Sequence, residues 1–104
     1  MELQGKFRFE ELTQTAPNAI VSKQIIKNEK GNITLFAFDQ NEGLSEHTAP
    51  FDALVMIIEG EAMVSIGGEN YHLAAGESII MPANVPHALK AEKAFKMILV
   101  MIKA

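Results

Sequence analysis

Residues 53–73 read Ala53-Leu54-Val55-Met56-Ile57-Ile58-Glu59-Gly60-Glu61-Ala62-Met63-Val64-Ser65-Ile66-Gly67-Gly68-Glu69-Asn70-Tyr71-His72-Leu73. The apolar run 53–58 is short and rich in β-branched side chains, which favours a buried strand over a helix. Gly60 permits a bend, and residues 62–66 resume the strand pattern. Gly67-Gly68 is a two-residue hairpin signal, because a primed turn needs positive φ at its centre. Residues 69–73 then pair back.

The same rhythm extends both ways. Strands are expected at 19–27 and 32–39, with a turn at 28–31 in which Gly31 is free to take positive φ. A short strand at 45–48 ends at Pro50. Further strands are expected at 77–81, 87–91 and 95–102, with a loop at 82–86. Eight or nine short strands separated by turn signals point to an all-β sandwich or barrel. The one helix candidate is short, at 9–13. A length of 104 residues suits a single domain, 1–104. Residues 54–58 and 97–102 are apolar on both faces. The core covers one face of each, and a partner subunit is the simplest cover for the other, so a homodimer is expected.

The net charge of −4 is unevenly spread. Residues 33–62 hold Asp39, Glu42, Glu46, Asp52, Glu59 and Glu61 and no Lys or Arg, and no Lys or Arg stands between Gly31 and Leu89. Such a chain lacks the clustered basic face that nucleic acid requires. No apolar run approaches a membrane span, so no membrane partner is expected. Cysteine is absent, which excludes a thiol nucleophile or thiolate ligand and fits a cytoplasmic location.

The stretch from His47 to Gly60, followed by Gly76, Pro82 and His87, resembles the cupin family of small jelly-roll barrels (double-stranded β-helices). The family's first motif places two histidines, a glutamate and a glycine in order; its second ends on a histidine. His47 takes the first histidine position, Gly60 the closing glycine, and Gly76, Pro82 and His87 keep the second motif's spacing. Asn84 stands at a family glycine, and Asn is the next-best residue for a left-handed turn. Ala49 stands at the second histidine position, Ala53 at the glutamate, and Ala91 at a family asparagine.

The resemblance implies a barrel pocket that holds His47 and His87, and a divalent ion such as Fe, Mn, Ni or Zn held there. With Ala49 and Ala53 in place, two of the four family ligands remain. Asp52 is the candidate third ligand if a bulge after Pro50 turns it inward, and Gln24 is a weaker one. His72 is expected on the surface if Leu73 packs inward. Met56, Met63, Met81, Met97 and Met101 are expected mainly as core filling, with a cavity lining as the alternative.

Three functions are open at this level. One is metal-assisted chemistry on His47 and His87 with Asp52. Another is a metal-free isomerase or epimerase that uses one of these histidines as general base, oriented by Asp52 or Glu46. The third is a module that binds a small neutral or cationic molecule without turning it over.

Overall fold

The computed structural model describes residues 5–103. A single 3₁₀ turn, Phe9–Glu11, precedes eight strands: β1 (Ile20–Asn28), β2 (Gly31–Phe38), β3 (Gly43–His47), β4 (Asp52–Ile66), β5 (Glu69–Ala74), β6 (Ser78–Met81), β7 (His87–Lys90) and β8 (Phe95–Ile102). The expected helix at 9–13 is reduced to that one turn. Its first position has no capping side chain, and none of its three residues is buried, so nothing extends it.

All strand pairs are antiparallel, and the ladder order is β1-β2-β8-β4-β7-β3, with β5 and β6 also paired to β4. The two strands expected at 53–59 and 62–66 are one continuous strand, β4. Its first half pairs with β8 and β6, and its second half with β5 and β7. Strand β4 therefore belongs to both walls of a curled sheet. This is the jelly-roll architecture that the cupin resemblance implies.

The bend in β4 has a local cause. The register against β8 shifts between Ile57 and Glu59. Before the shift Ala53, Val55 and Ile57 are buried; after it Ala62 and Val64 are. The inward positions change from odd to even numbers, which is what one extra residue in a strand does. Without that bulge Glu59 and Glu61 would face the core. Gly60 makes the corner at φ 79°, and a Cβ there would run into the Ala94 carbonyl oxygen. Gly31 serves differently from the sequence expectation. It does not adopt positive φ; instead β8 approaches so closely that a Cβ would meet the Met101 carbonyl oxygen.

The interior is filled from both walls. Phe38 and Phe95 stack with centroids 4.5 Å apart, beside Val55, Ile57, Val64 and Met97. Outside β8, the Lys96 ammonium pairs with Glu59 at 2.9 Å and donates to the Glu10 carbonyl at 2.8 Å, tying the N-terminal turn to the sheet. Among the described residues no helix is long and apolar enough to cross a membrane.

Candidate functional site

One cavity opens between the walls. It is lined by His47 and His87, by Leu44, Ala49, Phe51, Ala53, Leu89 and Leu99, and by Met81, Met97 and Met101. Its volume is about 70 Å³. That is several times the ~10–15 Å³ one water requires, and well short of the ~300 Å³ where drug-sized sites begin. The space therefore suits only something small, or one arm of something larger.

The two histidines come from different strands. His47 ends β3 and His87 begins β7, and they are register partners across that ladder. From the pair Leu44–Leu89 to the pair His47–His87, β3 advances three residues and β7 only two. This extra residue places His47 on the same face as Leu44, toward the cavity. His87 is 5% exposed, whereas His47 lies at the open rim.

Each ring is held by the same local device. His47 Nδ1 lies 2.7 Å from the Ser45 carbonyl oxygen, and His87 Nδ1 lies 3.2 Å from that of Val85. A carbonyl oxygen can only accept, so each Nδ1 carries the proton and donates it. Both Nε2 atoms are then bare, and they face each other at 3.1 Å. Three contacts ask for three protons, and a neutral pair has two. The pair is one positive or hydrogen-donating group short. A solvent proton does not readily fill the gap: burial pushes the His87 pKa below its usual value, a charged His47 would add to that, and only the Val85 carbonyl works against it.

Asp52 does not join this pair. It is exposed at the start of β4, and its Oδ1 accepts the Ala83 N–H at 2.8 Å. Together with the Asn84 N–H, which donates to the Ala49 carbonyl at 2.8 Å, it fastens the 82–86 loop to the chain before β4. The required bulge after Pro50 is absent; Ala53, the next residue, faces the cavity instead. Asn84 sits at φ 65°, the left-handed conformation expected of it. Gln24 is exposed on β1 and does not line the cavity. Neither Asp52 nor Glu46 orients a histidine ring; backbone carbonyls do. His72 lies on the surface, 3.5 Å from Glu61.

Among the described residues no cluster of three His, Cys, Asp or Glu exists. The two Nε2 atoms are close enough to share one ion at the ~2.0–2.1 Å of a zinc–nitrogen bond. However, a divalent ion of the kind the resemblance implies needs a third nitrogen, oxygen or thiolate ligand, and beyond the two histidines the wall offers only thioethers. The donor set does not fit Fe, Mn, Ni or Zn as a resident ion.

The family described as Cupin domain matches residues 34–103. The chain belongs to the cupin family. A conserved protein of unknown function from Streptococcus pyogenes superposes with a TM-score of 0.91 at 33% identity, covering 100% of this chain and 91% of that one. A Cupin 2 conserved barrel domain protein from Leptotrichia buccalis gives 0.90 at 37% identity, covering 93% of this chain and 47% of that one. An uncharacterized protein from Streptomyces coelicolor is 27% identical over 82 residues, 78% of each chain. The cupin motifs thus brought the two histidines together, and Met81, Met97 and Met101 take the cavity-lining alternative rather than plain core filling, whereas the two orienting carbonyls carry no motif that could have announced them.

Proposed function

We propose that this cupin is a small binding module. Its cavity takes one compact occupant, an ion or the donor-bearing end of a small molecule, on His47 Nε2 and His87 Nε2. The observation that carries this proposal is the 3.1 Å approach of two bare Nε2 atoms, each ring locked by its own backbone carbonyl. The lining holds no Lys, Arg, Asp or Glu, so an anionic ligand finds no counter-charge there. Neutral or cationic ligands are favoured. The test is a thermal-shift panel of metal ions and small neutral or cationic compounds on the wild type, His47→Ala and His87→Gln. Stabilisation lost in both variants supports the proposal. Stabilisation kept in both, or none by any compound, overturns it.

A second reading, a general base in a metal-free isomerase, is favoured by one observation. His87 Nδ1 donates to the Val85 carbonyl, which leaves its Nε2 bare in the cavity and able to accept a proton. Turnover of any carbon acid that survives in His87→Gln would remove it.

We further propose that the protein acts as a homodimer in the cytoplasm. The outer face of one wall carries the cross-strand row Ile80–Leu54–Val100–Ile33–Ile26, which spans five strands, or about 19 Å. Ile80, Ile26 and the neighbouring Ile102 are 61%, 54% and 61% exposed. An uncharged aliphatic strip of that width suits a two-fold contact with a second copy.

A further inference from the structure

What the cavity can hold is restricted by the chemistry of its wall. Ala53 occupies the position where the resembled family has its glutamate. Its register partners are Met81 on β6 and Met101 on β8. Side chains directly opposite on neighbouring strands share a face, with Cβ atoms ~4.5–5.5 Å apart. The small alanine is therefore bracketed by two thioethers, and all three residues line the cavity with His47 and His87. Met97 adds a third sulfur to the same wall.

This donor set is neutral and soft. Two imidazoles and a thioether suit Cu(I), whereas carboxylate and water suit Mg, Ca and Mn. Charge points the same way. The cost of transferring an ion from water scales with the square of its charge, so a divalent ion incurs about four times the penalty of a monovalent one of equal size. With no carboxylate on the wall to offset it, the cavity discriminates against dications. The long, unbranched methionine side chain can bring its sulfur to an ion that the histidines fix. The Nδ1–H to carbonyl contacts are the support that metal-bound imidazoles normally have. His47 at the rim gives the ion a way in and out.

We propose that the cavity binds one Cu(I), held by His47 Nε2, His87 Nε2 and a thioether from the Met81–Ala53–Met101 row. The proposal rests on the histidine pair being the working centre. The test is an anaerobic titration of the intact protein with Cu(I) against bicinchoninate, with Zn(II) binding measured in parallel. X-ray absorption on the Cu(I)-loaded protein gives the ligand atoms. One equivalent of Cu(I) is expected, bound more tightly than Zn(II), with both nitrogen and sulfur scatterers. Met81→Leu/Met101→Leu keeps the core volume and should weaken Cu(I) by about tenfold or more, with Zn(II) binding and the circular dichroism spectrum unchanged. Less than stoichiometric Cu(I), Zn(II) binding as tight as Cu(I), or full Cu(I) affinity in the double leucine variant overturns the proposal. If the leucine variant keeps its affinity while His47→Ala loses it, the thioether claim fails and the histidine centre stands. If His47→Ala and His87→Gln both keep it, both claims fail.

Discussion

Ala53→Glu tests whether the lost carboxylate decides what the cavity holds. Ala53 is 6% exposed and faces the cavity between Met81 and Met101. A glutamate there buries a negative charge in an apolar wall with only two neutral imidazoles nearby. An uncompensated buried charge costs about 3–5 kcal/mol. At about 3 kcal/mol, a domain of this size loses roughly 12–24 °C in Tm. The measurement is made at pH 8 for the wild type and the variant alike. Zn(II) or Mn(II) then gains a third, charged ligand, and an ion at a hundred times its Kd returns about 2.7 kcal/mol. Differential scanning calorimetry should therefore show a large fall in Tm, with most of it recovered by divalent metal. The wild type should gain far less from the same ions. Equal stabilisation of the wild type, or no rescue of the variant, would refute the assignment of metal preference to the missing carboxylate.

Other substitutions probe separate parts of the structure. Because the folded-state pKa of His87 is lowered, its contribution to stability is fully present above the unfolded value of ~6.5 and is lost as pH falls through the folded value. Wild-type Tm should drop more between pH 7.5 and 5 than that of His87→Gln; parallel profiles would contradict the burial of a neutral ring. Gly60→Ala should cost at least about 3 kcal/mol in urea denaturation, combining left-handed strain with a collision against Ala94 and Phe95. Lys96→Ala should cost about 1–2 kcal/mol and raise amide exchange near the Phe9–Glu11 turn, because it removes both the Glu59 pair and the bond to Glu10. Ile80→Lys with Ile102→Lys should shift the protein toward monomer in light scattering, with little change in its far-ultraviolet spectrum.

The fold was legible where local chemistry dominates. Gly67 and Gly68 both take positive φ in the expected hairpin, and the apolar runs at 53–58 and 97–102 form the central strands β4 and β8. Register was not legible. The bulges between Leu44 and His47 and between Ile57 and Glu59 are set by the strands opposite, and each reverses which side chains face inward. Gly31 shows the same limit, since its role depends on β8, seventy residues later in the chain. At the site, motif spacing was enough to bring His47 and His87 together, but it carried no information about which nitrogen points where. That orientation comes from the Ser45 and Val85 carbonyls, and backbone acceptors leave no mark on residue identity. Asp52 was misplaced for a related reason: one position along a strand separates a cavity ligand from a loop fastener.

The state of the two imidazoles is the most direct test of the site. Long-range ¹H–¹⁵N correlation spectra of the histidine side chains at pH 7.5 report which nitrogen of each ring carries the proton. Both His47 and His87 are expected as the Nδ1–H tautomer, with both Nε2 resonances moving on addition of one equivalent of Ag(I) as a redox-inert stand-in for Cu(I). An Nε2–H tautomer on both rings, or Nε2 resonances that ignore the added ion, would contradict the account.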